Sequence, residues 1–164
     1  MVFIPEQWID EAAERLDSSP EAYEAAVDQL RAEQPVLLSY CFTESFEAFT
    51  DKERQYMLYL LLVIWQSVKR AGGSLPEVSE QQLGETEERN WSTMQSSKGG
   101  SFRNRLDPFF EGYEQEDLLA FLEDALTPEE EGEPFVSREG QEALFVSLKT
   151  AVDCLTGAGE TGKN

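Results

Sequence analysis

Between Tyr56 and Trp65 ten apolar residues follow one another without interruption, YMLYLLLVIW, which puts hydrocarbon on every side of a helix formed there. A helix apolar all round is either a membrane span or a helix buried within a domain. Ten residues rise only about 15 Å, half of what a bilayer core requires. The flanks decide for a buried helix. Thr50 stands at the N-cap with Glu53 three residues on, in capping-box position. Asp51 and Glu53 meet the positive end of the helix dipole, Lys69 and Arg70 meet the negative end, and Gly72 falls at the expected C′ position. The spacing therefore predicts a helix over 51–72 around which the remaining chain is organised.

Two amphipathic helices precede it. Pro5 opens the first, with Trp8, Ile9, Ala12, Ala13 and Leu16 at helical spacing, and Pro20 opens the second, with Tyr23, Ala26, Val27 and Leu30. The segment PVLLSYCF from Pro35 and a turn at SFEAF, Ser45 to Phe49, add short apolar pieces. After the central helix the composition shifts. Ser79 caps a polar helix running to about Met94, read as interrupted at Gly84, and 96–101 reads as a glycine-bearing loop. A turn carrying Phe109, Phe110 and Tyr113 follows, then a helix from Gln115 to Leu126, an acidic linker TPEEEGEP, and a last helix capped by Ser137. That last helix bears Leu144, Phe145, Leu148, Ala151, Val152 and Leu155 and stops at Gly157. The expectation is a single all-α domain over 1–157, of six to seven helices around one buried central helix, with a disordered tail at 158–164. A short α-solenoid of stacked helix pairs is the alternative arrangement.

Charge narrows the function classes. Acidic residues outnumber basic ones by 33 to 13, for a net charge of −20. Such a surface repels nucleic-acid backbones and anionic lipid headgroups, so neither direct nucleic-acid binding nor membrane binding is expected. The acidity itself has three readings: heavily solvated helix faces, adaptation to a saline (halophilic) interior, or a working face that meets a basic partner or mimics nucleic acid. Histidine is absent, which removes His-dependent triads and imidazole zinc sites. Cys41 and Cys154 sit among apolar neighbours, in LLSYCF and AVDCL, and read as buried thiols. MVFIPEQWIDEAAERL has neither the basic segment nor the apolar run of a signal peptide, so the expected location is cytoplasmic.

Two constellations carry candidate chemistry. Glu-x-x-Glu and Glu-x-x-Asp spacing puts two carboxylates on one helix face, as magnesium-dependent hydrolases of phosphorylated small molecules require, and Glu114 with Asp117 fits that spacing. With 25 glutamates, however, pairs at this spacing arise by chance. The second is NWSTMQSSKGGSFRNR, Asn90 to Arg105, which contains no acid. Trp91, Lys98, Arg103 and Arg105 there form a candidate site for an anion or for a partner's acidic segment. The competing reading is internal: Glu87 shares a helix face with Leu83 and Trp91, and a carboxylate so placed is expected to pair with Arg103 or Arg105. No motif calls for a cofactor. The function expected is that of a small acidic adaptor or regulatory module that binds a protein partner, with the metal-dependent hydrolase and the nucleic-acid mimic as alternatives.

A chain at −20 repels itself, and that repulsion weakens as salt screens it. The melting temperature, followed by circular dichroism, should therefore rise between low salt and molar KCl. A midpoint that stays put or falls would remove the halophilic reading.

Overall fold

Nine helices and no strand make up the described residues of the computed structural model, which are 1–42, 49–127 and 138–157. In chain order they are α1 (Glu6–Asp17), α2 (Pro20–Glu33), α3 (Pro35–Tyr40), α4 (Asp51–Gly72), α5 (Glu80–Ser96), α6 (Phe102–Arg105), α7 (Asp107–Phe110), α8 (Glu116–Leu126) and α9 (Arg138–Thr156). The number exceeds the six or seven expected because the stretch after α5 folds into two single-turn helices. The turn at Ser45 to Phe49, the linker TPEEEGEP, the Ser137 cap and the tail at 158–164 lie wholly or largely outside the described residues. No helix among those described is long and apolar enough to cross a membrane.

The helix over 51–72 forms with the caps its sequence announces. Glu53 N–H donates to Thr50 Oγ1 at 3.1 Å, and Thr50 N–H donates to Glu53 Oε1 at 3.0 Å. At its other end the positive φ, 68°, falls on Gly73 rather than Gly72, so the left-handed turn comes one residue later than expected. Ser19 caps α2, its Oγ accepting from Ala22 N–H at 3.0 Å. Ser79 and Gln82 form a second capping box, and α5 then runs unbroken through Gly84. One exposed glycine costs a helix about 1 kcal/mol, too little to break one with a capped start and a packed inner face.

Every residue of α4 from Leu60 to Trp65 is buried. It shares the interior with α9, in which every residue from Leu144 to Asp153 is buried, a longer run than in α4. The two pack on each other, with α1 and α2 against α4 and with α5 and α8 against α9. Because α1 also meets α8, contacts join helices distant in sequence, and the stacked-pair solenoid does not form.

The run in α9 includes charge. Lys149 and Asp153, with side chains 9% and 3% exposed, are joined by an Nζ to Oδ2 hydrogen bond of 2.8 Å. Asn90 of α5 accepts from Lys149 at 3.1 Å through Oδ1, and its Nδ2 donates to Asp153 Oδ2 at 3.1 Å and Thr150 Oγ1 at 3.0 Å. The Tyr113 hydroxyl donates to the second carboxylate oxygen of Asp153, and the Lys149 ammonium stands 4.6 Å from the Tyr113 ring centroid. Burial, then the Asp153 charge, pushes the Tyr113 phenol well up from its ordinary value, so it remains a donor at neutral pH. Both ends of Asn90 and both oxygens of Asp153 are thereby satisfied, the condition under which buried polar groups are tolerated.

These bonds correct the expected inner face of α5. It is Leu83, Thr86, Asn90 and Met94, with Trp91 only half-buried, because Thr86 and Asn90 answer the polar residues of α9. Cys154 lies against Thr86, its Sγ 3.6 Å from the hydroxyl oxygen. Cys41 is fully buried, and burial raises its thiol to about 12. Both cysteines are free.

Asp153→Ala would strand the Lys149 ammonium in the interior, which costs roughly 3–5 kcal/mol. At about 2–4 °C per kcal/mol for a chain of this size, the melting temperature should fall by about 6–20 °C. The double variant Lys149→Met/Asp153→Leu should lose less than Asp153→Ala alone, a reversal of additivity that thermal unfolding would show.

Candidate functional site

The loop after α5 is ordered by its own arginines. Arg105 Nη2 and Nη1 donate to the carbonyls of Met94 and Ser97 at 3.1 and 3.3 Å, and Nε donates to Glu142 Oε1 at 2.6 Å. The guanidinium thus satisfies the Ser97 carbonyl just past α5 and gives a second donor to the Met94 carbonyl, which also accepts the Ser97 N–H. Arg103 pairs with Glu123 and, at 3.2 Å, with Asp124, both on α8. Phe102 packs edge-on against Phe145, with ring centroids 6.1 Å apart. Gly99 has φ 143°, and a Cβ there would lie 2.8 Å from Asn104 Cβ, so the loop's tight return needs glycine.

Arg103 and Arg105 do line one cavity, of ≈ 540 Å³, but Glu142 lines it with them. Trp91 and Lys98 do not line it. Lys98 is exposed, and Trp91 packs against the core. Glu87 pairs with neither arginine. It accepts from the Tyr40 hydroxyl, at the end of α3, at 2.7 Å, while both guanidinium groups are held elsewhere. Burial, then Glu87, pushes the Tyr40 phenol strongly up, which keeps it a donor.

The carboxylate pair also separates. Glu114 lies exposed in the turn before α8, whereas Asp117 lies within α8 and accepts the Glu6 N–H of α1 at 3.0 Å. Asp117 is therefore a cap supplied to α1 by another helix, whose own N-cap, Pro5, has no side-chain donor or acceptor. Among the described residues no three carboxylates or thiols converge to hold a metal ion.

A feature that sequence reasoning missed lies between α1, α4 and α8. A groove of ≈ 580 Å³ opens there, with Ile9, Leu60 and Phe121 among its apolar walls. Tyr56 and Tyr59 add stacked rings, 6.4 Å between centroids and 10° between planes. Four carboxylates line it, Glu6, Asp10, Asp117 and Asp124, and no lysine or arginine among the described residues does. Both hydroxyls are anchored: Tyr56 donates to the Ala125 carbonyl at 2.8 Å, and Tyr59 lies 3.4 Å from Asp17 Oδ2. Burial, then Asp17, pushes the Tyr59 phenol up to about 12, so both rings stay neutral at physiological pH. Rings held at one end and open on a face, surrounded by carboxylates, attract a cation both by charge and by the ring quadrupole.

The two arginines of the loop should differ on truncation. Arg105→Ala takes the donor from the Ser97 carbonyl and the ion pair from Glu142, at about 1–3 kcal/mol, and should lower the melting temperature by about 5 °C. Arg103 is half-exposed, and its pairs are worth at most about 1 kcal/mol, so Arg103→Ala should be near neutral. Comparison of the chain with models of known protein families, with curated proteins and with solved structures gives no match.

Proposed function

We propose that this protein is a binding module whose groove between α1, α4 and α8 receives a basic, partly apolar segment of a protein partner. The observation that carries the reading is the composition of the groove. Four carboxylates surround two stacked tyrosine rings and an apolar floor, with no cation among the described lining residues. Apolar side chains of the partner segment would pack on Ile9, Leu60 and Phe121, while its lysines or arginines would meet Asp10 and the tyrosine faces. The excess negative charge of the whole chain would speed the approach of such a partner. The hydrolase and mimic readings have no comparable observation in their favour.

The test is fluorescence anisotropy with a labelled peptide of alternating Arg and Leu, against the same peptide with Gln for Arg. The arginine peptide should bind the more tightly, and Asp10→Lys should weaken it at least about tenfold. Glu85→Lys, an exposed charge on α5 outside the groove, makes the same change in net charge and should have a small effect. Equal weakening by the two variants would reduce the interaction to net charge and exclude the groove.

A further inference from the structure

Three of the chain's 13 basic residues meet at one concavity, of ≈ 390 Å³, lined from α1, α2 and α4. Its described lining is Arg15, Lys69, Arg70, Gln29 and Gln66, with no acid among them. In a chain at −20 this is an unusual local composition. Part of it has a structural reason, since cations near helix C-termini offset the dipole. That reason does not account for the two carboxamides or for the way the cations are held.

Arg70 lies on the face of Trp8, with Cζ 4.6 Å from the ring centroid, and pairs with Glu11. Lys69 lies 5.1 Å from the centroid of Trp65, and its Nζ donates to Glu33 at 2.6 Å. Each is therefore fixed in place by one carboxylate and one ring while keeping further N–H donors. Arg15 has no ion pair among the described residues. Gln66 turns its Oε1 inward, where it is buried without a hydrogen-bond partner. Three cations and two carboxamides around a space of this size, with a tryptophan ring behind two of the cations, match the charge and hydrogen-bonding needs of a tetrahedral oxyanion.

The geometry points to a phosphate-binding site formed by Arg15, Lys69 and Arg70 with Gln66. Its ligand is a phosphate group, whether free or carried on a phosphoserine side chain. At physiological ionic strength the Debye length is about 8 Å, so Glu11 and Glu33 offset Arg70 and Lys69 in part, and Arg15 leaves the concavity net positive. The site is separate from the groove and does not depend on the function proposed for it.

Tryptophan emission gives a direct readout, because Trp8 and Trp65 lie under two of the cations. Inorganic phosphate and a phosphoserine peptide are titrated into the full chain, against NaCl and the unphosphorylated peptide at matched ionic strength. Phosphate should change the emission saturably and raise the melting temperature beyond the effect of NaCl. A response to phosphate alone would assign a free-phosphate site, and a tighter response to the phosphopeptide than to phosphate would assign a peptide site. Arg15→Gln disturbs no internal ion pair and should raise the half-saturating concentration about tenfold without altering stability in NaCl. Asp10→Lys, in the groove, should leave phosphate binding within about twofold. Emission that responds to chloride as it does to phosphate, or an Arg15→Gln variant that binds as the parent does, would overturn the assignment.

Discussion

The bond between Lys149 and Asp153 lies inside the longest buried run among the described residues, and its neighbours are fixed by what it demands. An ion pair removed from water is tolerable only if the remaining donors and acceptors are also matched. Asn90 must therefore face α9, which sets the rotation of α5 about its own axis. Tyr113 must reach Asp153, which brings the turn before α8 down onto the core. An apolar pair of the same volume would fill the space without dictating those directions. The polar network makes one packing of α5 on α9 better than its rotated alternatives, and the loop that follows α5 inherits its position from that choice.

Charge on the surface is sorted by a similar logic. The loop cations are matched one by one: Arg103 to α8, and Arg105 to Glu142 and the end of α5. Of the acids lining the groove, Asp124 is matched by Arg103 while Glu6 and Asp10 have no ion pair among the described residues, and of the cations around Gln66, Lys69 and Arg70 are matched while Arg15 is not. Matched charges hold the fold, and locally unmatched ones create potentials that a partner of opposite sign can use. α1 serves both concave surfaces, with Glu6, Ile9 and Asp10 toward the groove and Arg15 toward the basic concavity. Its N-terminus is tied to α8 through Asp117, and Gln115 holds the chain just before it by accepting from Ile4 N–H and donating to the Val2 carbonyl.

Caps and apolar spacing made the helical class legible, together with α1, α2, α4, α8 and the packed part of α9. Those signals act over three or four residues, so sequence alone contains them. The same local reading went astray where an inward residue is polar. Leu83 and Trp91 drew the inner face of α5 toward Glu87, whereas Thr86 and Asn90 are the residues that turn in, because their partners are about sixty residues away. Lys149 and Asp153 carry no inward signal of their own, because i, i+4 spacing fits a solvated pair as well as a buried one. The tyrosines of the groove were absorbed into an apolar run read wholly as core. That they are tyrosines, not leucines, was the available sign of a half-open environment.

What the sequence determined by itself is therefore the set of local decisions: all-α class, helix caps and the strong negative charge. Tertiary structure decided which polar side chains face inward, which arginines are matched and where unmatched charge collects. Each of those depends on a partner from a distant part of the chain. The free energy of a buried or paired charge is a property of two groups and the medium between them, and one-dimensional spacing contains only the first.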